Sequence, residues 1–135
     1  MDLAGKKALV FGGTSGIGLA TSIMLQEQGA QVVAISRDPS KAGDLPGIEL
    51  AACDVRDEDA LAALFAAHAP FDVLISAATG GSRAAGPFLK MELSAYRASF
   101  DKLWGYTNIV RLGMQHLSEN GNIVLVSGSP ARKAK

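Results

Sequence analysis

A disulfide framework is excluded at the outset, because the chain holds a single cysteine, Cys53. One thiol cannot bridge to itself, and it suits a reducing compartment. Net charge is equally scarce: 13 lysines and arginines offset 13 acids, so nothing in the balance points to a polyanionic partner, and nucleic acid is not expected. Two histidines, His68 and His116, lie far apart with no second ligand at metal spacing. Both read as ordinary helix residues, and no metal is expected. A membrane-length apolar run is also missing. Ala8 to Gln26 is free of charge over 19 positions, but four glycines with Thr14, Ser15, Thr21, Ser22 and Gln26 interrupt it. The start, M-D-L-A-G-K-K, does not read as a secretory signal, since the apolar run behind the lysines breaks at Gly12. These absences leave a cytoplasmic protein that does not engage a membrane.

What is present is 48% hydrophobic residues over 135 positions, enough for one domain with a real core and not for two. The chain is organised around Ala8 to Gly18, A-L-V-F-G-G-T-S-G-I-G, which reads as strand, tight turn, helix. Glycine reaches backbone angles that a Cβ forbids and lets a ligand touch the main chain. The first turn of the helix leaves N–H groups unpaired at its positive end. Gly12, Gly16 and Gly18, with Ile17 between the last two and the Thr14 and Ser15 hydroxyls as extra donors, are placed to hold a diphosphate. The spacing is G-x-x-x-G-x-G, so a turn that only packs strand on helix is the alternative.

The second strand, Gln31 to Ser36, is apolar without alternation, as in a parallel sheet buried on both faces. An acid at its tip, about 20 positions past the first glycine, would favour NAD by bonding the ribose 2′-hydroxyl. Ser36 and Arg37 stand there instead, and a guanidinium offers paired donors to a 2′-phosphate. NADP(H) is therefore expected over NAD(H), the alternative for Arg37 being a solvated surface charge. Asp38 with Pro39 starts the next turn.

A third strand is expected over Ile48 to Cys53, a helix after Asp57, Glu58 and Asp59 with Leu61, Leu64, Phe65 and His68 on its apolar face, and a fourth strand over Phe71 to Ser76. On the glycine-turn helix the inward face is expected to be Ile17, Ala20, Met24, Leu25 and Gln28, with Gly29 closing it. A loop, Ala77 to Lys90, leaves the fourth strand on the ligand-binding side of such sheets. Leu93, Tyr96, Phe100, Leu103, Thr107, Val110, Met114 and Leu117 step by three and four, which predicts one long helix from Leu93 to Leu117. Apolar residues off that stripe leave surface for another subunit, so a homo-oligomer through this helix is expected. Asn120-Gly121 then turns the chain into a fifth strand, Asn122 to Val126.

These residues resemble the short-chain dehydrogenases/reductases over the whole chain. F-G-G-T-S-G-I-G is similar to the family's T-G-x-x-x-G-I-G, with Phe11 in the threonine's place. Cys53-Asp54-Val55 resembles its acidic adenine-contact motif, and Ser76-Ala77-Ala78-Thr79 takes the place of its N-N-A-G. Leu103-Trp104-Gly105 resembles part of its N-x-x-G helix motif, and Asn122 to Ser127 the strand before its catalytic serine. The resemblance implies an α/β Rossmann-type, doubly wound parallel sheet of order 3-2-1-4-5 that binds NADP(H) over residues 1–135. It implies a reaction between a carbonyl and an alcohol on a small-molecule substrate. Asp54 and Val55 would then meet the adenine, and Ala77, Ala78 and Thr79 the ribose near the nicotinamide. The chemistry is where the chain departs. Lys102 stands at the relay asparagine, and the family's serine falls on Gly128, which leaves Ser127 or Ser129 as candidates. No Tyr-x-x-x-Lys occurs up to Lys135, since Tyr96 and Tyr106 lack a lysine four residues on. The expectation is a domain incomplete at its C-terminus, without the family's later strands and helices, and inactive alone. A non-catalytic dinucleotide-binding or structural module is the alternative.

Overall fold

The protein is described here by a computed structural model covering residues 2–78 and 84–128. Five strands, β1 (Lys7–Phe11), β2 (Gln31–Ser36), β3 (Ile48–Ala52), β4 (Phe71–Ser76) and β5 (Leu117–Leu125), form one parallel sheet in the order β3-β2-β1-β4-β5. The helices are α1 (Gly16–Glu27), α2 (Glu58–His68), α3 (Leu93–Ala98) and α4 (Asp101–Gly113). This is the doubly wound arrangement, in which the strand order reverses between β1 and β4 and opens a crevice at the carboxyl ends of the strands.

Alternation along the strands divides the core between two layers. Leu9, Phe11, Val33, Ile35 and Leu74 point to the side of α2 and α4, where they meet Leu61, Phe65, Phe71 and Ile109. Ala8, Val10, Val32, Val73 and Ile75 point to the other side, against Leu25 of α1. Both faces of β1 and β2 are buried, which is why their sequences are apolar without a break. Asp57 caps α2 by accepting from the Ala60 N–H at 3.0 Å, as the run of acids there predicts.

Three expectations are corrected. The inward face of α1 is Gly18, Ser22 and Leu25, while Ile17 and Met24 are mostly exposed. α1 lies so close to the glycine turn that only small side chains fit beneath it. The long helix is not continuous from Leu93 to Leu117. It breaks at Ser99 and Phe100, where the Ser99 hydroxyl donates to the Ala95 carbonyl and accepts from the Ala84 N–H, and it ends in a 3-10 turn at Met114–His116. Such local bonds compete with the helix ladder. The predicted stripe is mostly its outer surface, with Leu103 62% exposed, and the buried side of α4 is Gly105, Ile109 and Gly113. The last strand starts at Leu117, and Asn120-Gly121 lies within it rather than before it. Pairing slips between Phe71↔Leu117 and Val73↔Asn122, so the extra residues bulge from the edge.

Asp72 holds that irregular edge to the sheet centre. Its carboxylate accepts from the Lys7 N–H at 2.9 Å and from the Ser118 hydroxyl at 2.6 Å. The Ser118 hydroxyl, then the Lys7 amide, hold the carboxyl below its ordinary pKa. A lowered carboxyl pKa gives stability that is present above the unfolded value and lost as pH falls through the folded one. Urea midpoints followed from pH 7 down to pH 3 should therefore fall more steeply for the native chain than for Asp72→Asn. Parallel profiles would show that the carboxylate contributes nothing.

A cleft at the ends of the strands

The carboxyl ends of β1, β2 and β4 and the start of α1 enclose a cleft of about 470 Å³. Its floor is the glycine turn, where the three glycines that line the cleft, Gly12, Gly16 and Gly18, have different tasks. Gly12, at φ 71°, lies against the loop leaving β4: a Cβ there would stand 2.8 Å from the Ala77 carbonyl carbon and the Ala78 nitrogen. A Cβ on Gly18 would overlap the Gly12 carbonyl oxygen and stand 2.6 Å from its carbon. Gly16, at φ 52°, faces open space. Two glycines thus bring strand, loop and helix together, and the third leaves room above the helix start.

Ser15 is the N-cap of α1, in extended conformation, and its side chain makes no capping bond. The helix ladder begins with the Leu19 N–H donating to the Ser15 carbonyl, which leaves the amides of Gly16, Ile17 and Gly18 without helical acceptors. Ser22, which the sequence did not mark as a site residue, secures this end. Its hydroxyl is buried within 3.0 Å of the carbonyls of both Gly13 and Gly18. Its signal is a small polar residue one helical turn after Gly18.

At the tip of β2, the Ser36 hydroxyl is buried and has no hydrogen-bond partner among the described residues. Arg37 lines the cleft beside it, and Lys41, also missed from the sequence, lines the adjoining hollow. Asp38 is turned to local work, accepting from the Ser40 N–H and hydroxyl and pairing with Lys41 at 4.0 Å. The Ser40 hydroxyl, ahead of every other influence, lowers its pKa.

Past β3, Cys53, Asp54 and Val55 form the next wall. Arg56 grips Asp54 through both carboxylate oxygens, at 3.0 and 2.8 Å, and reaches Asp101 of α4 at 3.4 Å. The hydrogen bond from Arg56 is the main reason the Asp54 pKa is lowered. Asn108 on α4 donates to the Val55 carbonyl at 3.1 Å, and Gly105 gives the Val55 side chain its space. The bonds from Arg56 to Asp101 and from Asn108 to Val55 join residues 45 and 53 positions apart, which hides them from motif reading. Burial, with Asp57 and Asp54 adding to it, pushes the Cys53 thiol up to about 11, so this lone cysteine is a wall residue rather than a nucleophile.

The far wall brings Ala77 and Ala78 together with Lys102, Val126, Ser127 and Gly128. Ser127 is exposed, its hydroxyl 3.4 Å from the Gly128 carbonyl. Thr79 and Ser129 lie outside the described residues. Every other residue expected at the site from the sequence, Gly12, Thr14, Ser15, Gly16, Ile17, Gly18, Ser36, Arg37, Asp54, Val55, Ala77, Ala78, Lys102 and Ser127, is found on this one cleft.

A family profile described as short chain dehydrogenase matches residues 6–134. The chain belongs to the short-chain dehydrogenase family. It is 33% identical over 142 residues to L-xylulose reductase of Mesocricetus auratus, and 33% identical over 142 residues to D-erythrulose reductase of Gallus gallus. Each alignment covers 99% of this chain and 57% of the relative, so this short-chain dehydrogenase spans little more than half the length of the curated relatives it matches. A solved short chain dehydrogenase from Burkholderia cenocepacia J2315, in complex with NADP, superposes with a TM-score of 0.82 at 26% identity, over 93% of this chain and 54% of the other. In family terms, the departures at Lys102 and at Ala77-Ala78 fall on the cleft wall itself. Among the described residues, no helix is long and apolar enough to cross a membrane.

Proposed function

We propose that this chain is the NADP(H)-binding part of a cytoplasmic oxidoreductase that interconverts a carbonyl and an alcohol on a small polar molecule. The observation that carries the reading is the tip of β2. A buried Ser36 hydroxyl without a partner among the described residues and the Arg37 guanidinium stand together there, with Lys41 nearby; of the two acids around them, Asp38 is bound by Ser40 and Asp54 by Arg56. These are donors suited to a 2′-phosphate, and the carboxylates around them each have a donor of their own. The cradle fits the rest of the group: open space over Gly16 and unpaired amides at the start of α1 suit a diphosphate, and Val55 with Asp54 offers a flat wall for adenine.

Bound there, the dinucleotide supplies or accepts the hydride, and the protein supplies position and proton handling. Ser127 or Ser129 would hold the substrate oxygen. Tyr106 does not serve as a proton donor, because its hydroxyl donates to the Val126 carbonyl, lies 3.3 Å from that of Ser76, and has its pKa raised by burial. The similarity to reductases of L-xylulose and D-erythrulose supports a polyhydroxy ketone as the substrate type. The outward residues of α4, Leu103 and Trp104, are the surface we assign to self-association.

Reversing the charge at Arg37 tests the reading. Arg37→Glu should weaken NADPH binding about tenfold or more, the scale of a lost charge-assisted hydrogen bond, and leave NADH binding nearly unchanged. Fluorescence titration of both nucleotides measures this, and equal losses would refute the assignment. Lys102 at the relay position favours a second reading, a binding module without catalysis. NADPH binding by the complete polypeptide, without turnover of any carbonyl or alcohol in a broad panel, would decide for it.

A further inference from the structure

Lys102 is the second residue of α4 and lines the cleft where β4 and β5 end. Its amino nitrogen lies 5.4 Å from the centre of the Tyr106 ring. That ring is fixed at its far end by the hydroxyl's bond to the Val126 carbonyl, so the ammonium rests on a rigid aromatic face. The nearby carboxylates do not neutralise it. Asp54 and Asp101 both turn to Arg56, at 2.8 and 3.4 Å, and among the described residues no carboxylate lies within ion-pair distance of Lys102.

The other cation on the cleft, Arg37, follows β2, two strands away from β4 in the sheet order. At about 4.8 Å per strand, the strand ends beside which the two cations stand lie roughly 10 Å apart along the crevice. One cation at the β2 end is accounted for by a 2′-phosphate. The second stands at the end left for substrate, where a neutral ketone would leave it without a counter-charge. An ammonium is a compact, strongly hydrated point charge, and a carboxylate is the partner that compensates its desolvation best.

We propose that Lys102 is a specificity residue that selects substrates carrying a carboxylate beside the carbonyl undergoing reduction. The proposal rests on the reading of the cleft as a dinucleotide and substrate site, and it narrows the substrate from polyhydroxy ketones in general to oxo acids. The hydride and proton transfers are those of any carbonyl reduction; Lys102 binds and orients the acid group and gives up no proton.

The test compares 2-oxogluconate with fructose, which differ at C1 by carboxylate against hydroxymethyl, in the complete polypeptide. NADPH affinity is measured in parallel by fluorescence. The native protein should prefer the oxo acid in kcat/KM. Lys102→Met, which keeps an apolar stem on Tyr106, should lower the oxo-acid to ketose ratio at least about tenfold, mainly through KM, whereas Lys102→Arg should largely retain it. Where turnover is slow, quenching of bound NADPH by each compound reads the same ratio as binding. Equal losses on both compounds, an unchanged ratio, or a loss explained wholly by weaker NADPH binding would overturn the proposal. So would a protein that binds NADPH but neither binds nor reduces 2-oxogluconate. A native protein that binds no NADPH overturns the underlying reading of the cleft instead.

Discussion

Gly18→Ala is expected to weaken NADPH binding about tenfold to a hundredfold. The added methyl group would overlap the carbonyl oxygen of Gly12, and the nearest atoms are all backbone, so no side chain can rotate aside. Overpacking of this kind costs about 1–3 kcal/mol, and strain relieved by moving the turn falls directly on the amides that form the cradle. Ser22 makes the effect local, since its hydroxyl, 3.0 Å from both the Gly13 and Gly18 carbonyls, shares its one proton between them and ties the two together. Fluorescence titration with NADPH, alongside urea unfolding to separate binding from folding, measures it. Affinity within twofold of the native value would show that the turn does not hold the nucleotide.

Phe65→Ala should be the most destabilising single change in the core. Phe65 is fully buried on α2, its ring centre 5.6 Å from both Phe11 on β1 and Phe71 on β4. Gly113 of α4 lies against the same ring: a Cβ there would stand 3.1 Å from its tip. One side chain therefore joins the sheet to two helices. Removing it costs about 3–5 kcal/mol in transfer and cavity terms, against a total stability of about 5–15 kcal/mol for a domain. The urea transition should shift far towards zero denaturant or lose its cooperativity. Phe65→Leu, which keeps most of the volume, should cost under about 1.5 kcal/mol. A Phe65→Ala penalty below 1 kcal/mol would mean that the centre of the core lies elsewhere.

Much of the site is legible in the chain because its residues are neighbours in sequence. Gly12 to Gly18 are contiguous, Ser36 and Arg37 end one strand, and Asp54 and Val55 follow another; each set reaches the cleft because parallel strands end on the same side. Ser22, Arg56 and Asn108 are not legible in this way. Each is an ordinary polar residue until folding sets it against Gly13, Asp101 or Val55. Apolar periodicity also misleads in both outer helices. The stripes through Ile17 and Met24, and through Leu103 and Met114, are largely exposed, because where helix and sheet approach most closely only Gly18, Ser22, Gly105 and Gly113 fit.

The amino-acid order by itself determines the strand and helix alternation, the parallel sheet and the position of the glycine turn, because backbone freedom at glycine and unbroken apolar runs act locally. Tertiary structure alone decides which helix faces are buried, that the helix after Leu93 breaks at Ser99, that Arg56 reaches Asp101, and that Lys102 rests on Tyr106 with no carboxylate at ion-pair distance among the described residues. Those outcomes depend on how closely distant segments can approach and which charges meet there, quantities that no local pattern contains.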